Sequence, residues 1–358
     1  MKYVHSISLF TKMCIVLVIG VLIIGFVSIG RVTDLLNRRK SINVLAWGQI
    51  LDKEFLSDFE QETGIQVNMS YFENNQELFV KLQATDLHDY DLIMPTDWAV
   101  ELLVKDGLIK KLDHDKIVVW DTLHPALCNL YFDPSNEYSI PYFWSLLGLG
   151  VNTDYWEGAM PSATWGLIFD KRIMPKRIGM AEDPQILILT AAVYLFGRIK
   201  EQLSGDQINK IKKLLLEQKS SVEIYTDSRS EYVLVSGTVP VVVTLSGDLL
   251  KVMKRFENIN FIIPKEGAFA VIDSFAITAA TKKDDFIYSF LNYIFRPGVV
   301  KKYVDKFDFF PAVKVDIEYD DRFEYVTKPT EALFKNINFF KNVISKEDLN
   351  DLLITLKS

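Results

Sequence analysis

Two short stretches of the chain put aromatic faces beside polar groups. They are Trp47-Gly48-Gln49 and Pro95-Thr96-Asp97-Trp98, and each follows an apolar run of strand type, Ile42 to Ala46 and Asp91 to Met94. An indole has a broad apolar face with a negative quadrupole, and a carboxylate brings full charge. In an open sheet with helices on its faces, ligands sit beyond the carboxyl ends of the strands, where these two stretches fall. Two tryptophans and a carboxylate therefore converge on a candidate binding position. Either tryptophan could instead be a core residue packed under a neighbouring helix.

Groupings that would make or break bonds are missing. The histidines are His5, His88, His114 and His124, and no two stand four apart as a helical metal pair would. Cys14 and Cys128 are the two cysteines, which cannot furnish a thiolate zinc site. The sequence has no G-x-S-x-G elbow, no G-x-x-x-x-G-K-[ST] phosphate loop and no G-x-G-x-x-G after its first strand; Leu147-Gly148-Leu149-Gly150 belongs to a strand. The balance favours binding over catalysis, with no metal and no cofactor.

The elements that must position these residues alternate strand and helix. After the strand at 42–46, Asp52 can cap a helix carrying Phe55, Leu56 and Phe59, which Gly64 ends. Residues 67–72 alternate as a strand, Asn74 or Asn75 caps a helix through Leu78, Phe79 and Leu82, and after the strand at 91–94 a helix runs from Pro95 to Val104. That order predicts a mostly parallel sheet covered on both faces. Residues 139–151 are a long apolar run able to cross to a second αβ region. There the pattern gives helices at 185–199 and from Ser204 to about Gln218, a buried strand at 239–245 and a helix at 247–256. Strands follow at 261–264 and 271–277, then helices at 286–295 and 299–307, and an amphipathic helix at 346–356.

The chain has 358 residues, with 40 Lys and Arg against 47 Asp and Glu. Length allows about two domains. The charge is divided unevenly: residues 1–40 hold six bases and one acid, which leaves the rest with a net charge of −12. So acidic a body argues against nucleic acid as a partner and permits a cationic ligand. Residues 13–30 form an uncharged apolar run of 18 residues, read as an uncleaved membrane helix in preference to a signal peptide cut after Gly30. The larger number of bases follows this run, and a strict charge count would leave the body in the cytoplasm.

Several stretches together resemble the polyamine (spermidine/putrescine) substrate-binding proteins of ABC importers, members of the two-lobed periplasmic binding proteins. They are Leu45-Ala46-Trp47-Gly48, residues 59–67 (FEQETGIQV), residues 90–97 (YDLIMPTD), Asp106-Gly107-Leu108-Ile109, Phe132-Asp133-Pro134 with residues 138–144, and Pro264-Lys265-Glu266-Gly267 with residues 272–277. The match is weak between about 155 and 235 and poor after 315. The resemblance implies an α/β fold of type II with two hinged lobes, each with a central mostly parallel sheet, behind an N-terminal membrane segment. The first lobe would comprise 41–145 and 273–315, and the second 146–268 and 316–358. It implies an extracytoplasmic receptor, periplasmic or on the cell surface, that delivers its ligand to a permease. Carried over position by position, Trp47, Thr96, Trp98, Asp183 and Asp273 would bind ligand, the aspartates supplying charge and the indoles supplying faces. Three positions depart from the family pattern: Ile186 where an acid would grip an amine, Thr244 near a lost indole, and Val271 in place of an aromatic. These departures leave open a shorter or different cation, an amino acid, or a tethered sensor that transports nothing.

Overall fold

The computed structural model describes residues 40–358 except 49, 52, 85, 86, 88, 199–201, 227, 228 and 358. The apolar run at 13–30 lies outside the described residues, as do the helix cap expected at Asp52 and two of the histidines, His5 and His88. No helix among the described residues is long and apolar enough to cross a membrane.

The first lobe is built on β1 (Ser41–Trp47), which pairs in parallel with β2 (Gln66–Phe72) on one side and with β3 (Leu92–Ile93) on the other. Ile42, Val44, Leu45 and Ala46 are all fully buried, because helices cover both faces of a parallel sheet. Helix α1 (Lys53–Thr63) turns Leu56 and Phe59 inward. Phe59 meets Phe290 edge-on at 5.3 Å; Phe290 belongs to α8 (Asp284–Ile294), which the chain adds to this lobe much later. Helix α2 (Asn75–Ala84) is capped by Asn74, whose Oδ1 accepts from Glu77 N at 2.9 Å, and α3 (Asp97–Lys105) follows β3 after three residues. Helix α9 (Pro297–Phe307) lies against α1, tied to it by the pairs Arg296–Glu62, Lys302–Asp58 and Lys306–Glu54.

Two long strands run out of this lobe into a second one. β4 (Ile140–Asn152) and β9 (Phe269–Ile277) lie antiparallel from Ile140↔Phe275 to Leu147↔Phe269, with a register slip between Pro141 and Phe143. β3 docks on the far end of β9, at Ala276 and Ile277. The other end of β4 pairs with β7 (Val241–Leu245) along one edge and with β8 (Ile259–Ile262) along the other. Beyond β7 come β5 (Ile178–Met180) and β6 (Val222–Tyr225), both parallel. The sheet is thus parallel in the outer part of each lobe and antiparallel along the crossing strands, where strand–helix alternation predicts only the parallel part.

Gly148 and Gly150 let neighbours press onto β4. A Cβ on Gly148 would lie 2.5 Å from Phe261 Cζ and 2.7 Å from the Ile262 carbonyl oxygen, and one on Gly150 would lie 2.6 Å from Leu234 Cδ1. Helices α4 (Pro184–Phe196) and α5 (Gly205–Lys219) pack together over the second lobe, α5 starting from a capping box between Ser204 and Gln207. α6 (Ser230–Val235) and α7 (Ser246–Met253) flank β7. The tail then visits both crossing strands. β10 (Phe310–Pro311) pairs with β4 and β11 (Asn338–Phe339) with β9, before α10 (Lys346–Lys357) ends on α5. β5, β6 and α6 lie within 155–235, where the pattern gave no reading of them. β5 is three residues long, and its Gly179 has no side chain to signal a strand.

Candidate functional site

Trp47 is the last residue of β1, Thr96 precedes α3, and Asp273 lies midway along β9. An isolated antiparallel bridge joins Thr96 to Asp273, and Ser274 N donates to Pro95 O at 3.0 Å. The β3–α3 turn is thereby fixed against a crossing strand. Asn75, at the start of α2, donates its Nδ2 to Thr96 Oγ1 at 2.8 Å, and Trp47 packs on Phe72 at 4.5 Å. Trp98 is half-buried; it lies tilted to Phe79 at 6.5 Å and packs against the hydrophobic core of the second lobe. Four of the five predicted residues thus gather where the first lobe meets the crossing strands, and one of them reaches the other lobe.

The electrostatics of this place are one-sided. Burial pushes the Asp273 carboxyl up to about 7; the Trp47 indole N–H pulls it down and Asp248 pushes it further up. That N–H is near enough to act on the carboxyl yet outside hydrogen-bond geometry, so Trp47 Nε1 and Asp273 Oδ1 are both buried without a partner. Asp273 as a residue is half-buried, and it is this one oxygen that is sealed from water. Asp97 has no solvent exposure, and neither of its oxygens has a partner in good hydrogen-bond geometry, although two backbone N–H groups lie near enough to act on them. Burial holds its carboxyl well above the usual range; the backbone N–H groups of Trp98 and of Asp97 itself pull it down, while Asp273 and Glu101 raise it. Asp248, in the first turn of α7 on the second lobe, is raised to about 7 by burial and then by Glu231, and Lys251 lowers it. The acids are therefore electrostatic neighbours in series, Asp273 acting on Asp97, Asp248 on Asp273 and Glu231 on Asp248, and the series passes from residues of the first lobe to residues of the second. Among the described residues none of the four has an ion-pair partner within 4.0 Å.

Asp183 stands apart from that series. It caps α4, its Oδ1 accepting from Gln185 N at 2.7 Å. Burial raises its carboxyl and the N–H groups of Gln185 and Ile186 lower it, so the acids of the series are not among the groups acting on it. The three departing positions are filled differently. Ile186 and Val271 pack against the second-lobe core, while Thr244 is buried and shares a 2.5 Å hydrogen bond with Ser230.

Asp97 and Asp248 are the functional candidates that position-by-position carry-over misses. Asp97 was visible in the sequence as the carboxylate of the Pro95–Trp98 stretch, but the family pattern selects its neighbours. Asp248 opens the helix after a buried strand, the same strand-end placement that singles out Trp47 and Thr96, so that rule applied to β7 would have found it. Tyr131 gave no sequence signal. Its hydroxyl donates to Phe340 O, Lys341 Nζ lies 5.3 Å from its ring centre, and Asp97 is one of the groups, after burial, that raise its pKa.

Residues 54–321 match the bacterial extracellular solute-binding proteins, and the chain belongs to that family. Its members are receptors for solutes rather than enzymes. Among individual relatives, the chain is 30% identical over 295 residues to the putrescine-binding periplasmic protein PotF of Escherichia coli (strain K12), covering 78% of this chain and 80% of that one. It is 27% identical over 285 residues to the putrescine-binding periplasmic protein SpuD of Pseudomonas aeruginosa (strain UCBPP-PA14), covering 75% and 77%. Among solved structures, a putative spermidine/putrescine ABC transporter protein from Listeria monocytogenes superposes with a TM-score of 0.77 at 22% identity, covering 89% of this chain and 99% of that one. The two-lobed periplasmic-binding-protein fold is common to them.

Proposed function

We propose that the chain is the receptor of an ABC importer and binds putrescine, spermidine or a related organic cation between its lobes, for delivery to a permease. The observation that carries the ligand class is the series of carboxylates across the junction of the lobes, with indoles beside it and no paired base among the described residues. Buried charge of one sign is costly until a counter-charge arrives. An ammonium supplies that charge, and its methylenes suit the faces of Trp47 and Trp98. The names of the relatives point to the same ligands.

In this reading Asp273, Trp47, Thr96 and Trp98 touch ligand from residues 41–145 and 273–315, taken as one lobe. Asp248 reaches it from 146–268, taken with 316–358 as the other. Asp183 holds the start of α4 behind the site. Closure follows from ligand contacting both lobes, so binding and closing are one equilibrium. The body works outside the cytoplasm, held at the membrane by residues 13–30 or released after cleavage. The apolar fillings at Ile186 and Val271 favour a small diamine over a longer polyamine.

Titration calorimetry of the full-length chain with putrescine, spermidine and a set of amino acids tests the proposal. Heat with at least one amine supports it. Silence with every amine together with heat from an anionic or neutral solute would leave a receptor but refute the cation.

A further inference from the structure

Five buried polar atoms near Thr96 lack a partner: Asp97 Oδ1, Asp97 Oδ2, Asp273 Oδ1, Asn75 Oδ1 and Trp47 Nε1. All but that of Trp47 belong to residues tied to Thr96 covalently or by hydrogen bonds. Thr96 is bonded to Asn75, bridged to Asp273 and adjacent in sequence to Asp97. More than about nine in ten buried polar groups in folded proteins find a partner, so five orphans around one residue call for a missing group. Four of the five are acceptors, and the carboxylates can be ionised; the fifth, Trp47 Nε1, is a donor beside the Asp273 carboxyl. What completes the four acceptors is a cation with several N–H bonds.

We propose that Asp97, with Asp273 and the Asn75 carbonyl oxygen, is the socket for a primary ammonium end of the ligand. Asp97 thereby supplies, from the first lobe, the carboxylate that the polyamine-binding pattern places at Ile186. The inference rests on the cation reading above and narrows it. A quaternary ammonium carries the charge but has no N–H to donate, and it would leave all four acceptors unsatisfied. A primary ammonium offers three donors to those acceptors. Its partner at the other end is Asp248 on the second lobe, so the favoured ligand is a chain with a primary amine at each end.

The test uses the full-length chain and two ligands of equal length, putrescine and its bis(trimethylammonium) counterpart, in calorimetry with wild type and Asp97→Asn. Wild type is expected to bind putrescine and to bind the quaternary compound at least about tenfold more weakly. Asp97→Asn is expected to lose at least about tenfold in putrescine affinity. Without ligand, that variant should melt no lower than wild type, because the substitution removes a buried acid that has no partner. Equal binding of the two ligands by wild type, or unchanged putrescine affinity in the variant, would overturn the socket while leaving an amine receptor. A lower ligand-free melting temperature, or failure to fold, would overturn it too, since Asp97 would then be structural. Binding of no amine by wild type would remove the socket and the cation reading together.

Discussion

Asp273 and Asp183 are both raised by burial, yet their surroundings assign them different work. Asp273 has a sealed oxygen without a donor and feels a second acid across the lobes, so its charge waits for a counter-charge. Asp273→Asn keeps the shape and removes the charge; an amine ligand should then bind at least about tenfold more weakly, as expected for losing one side of a buried ion pair. A neutral ligand would be indifferent to the change, and a calorimetric comparison of the two classes separates these cases. Asp183 is occupied by the start of α4. Removing such a cap costs about 1 kcal/mol. Urea unfolding of Asp183→Ala should therefore show a loss of that order, with amine affinity within about twofold of wild type. A larger fall in affinity would mean that its carboxylate reaches the ligand after all.

At the scale of elements, the crossing strands carry the fold's particular demands. Gly148 faces the Ile262 carbonyl at a distance where a methyl group cannot fit unless β8 moves, and a backbone atom yields less than a side-chain tip. Gly148→Ala should destabilise the protein by about 1–3 kcal/mol, the range of overpacking, measured by chemical unfolding. The same strands explain what the sequence could and could not reveal. Periodicity and caps place α1, α2, α5 and α9 well, because each writes its own signal in local residues, such as Phe55, Leu56 and Phe59 at helical spacing and Ser204 ahead of α5. Pairing across 130 residues writes none, so the antiparallel register of β4 with β9 and the return of β10 and β11 to them are invisible locally. The site divides in the same way. Trp47, Thr96 and Trp98 follow from strand ends, as Asp248 would have by the same rule, whereas Tyr131 reaches the place through tertiary folding.

The acids act on one another in series from lobe to lobe, and in the proposed reading this gives ligand and protons a common target. A carboxyl raised by folding holds its proton where the unfolded chain has already released it. Native stability from such a group is complete below the ordinary carboxylate range, near pH 4, and is lost as pH rises through the folded value, about 7 for Asp273. Asp248 and Asp97 act in the same direction. The groups facing them are Trp47, Glu101, Glu231 and Lys251, and of these only Lys251 brings positive charge. His124, lowered by burial, slopes the other way in the acid part of the window. Carboxylates held down by bases, such as Asp170 at about 2, titrate below it. Comparing variants removes both contributions. Between about pH 5 and pH 8 the ligand-free wild type should lose more melting temperature than Asp273→Asn does. An ammonium favours the ionised acids, so binding it expels their protons. The rise in melting temperature on adding putrescine should therefore grow with pH in wild type and grow less in the variant. If the two proteins show the same pH dependence with and without putrescine, the series of acids is not where ligand and protons compete.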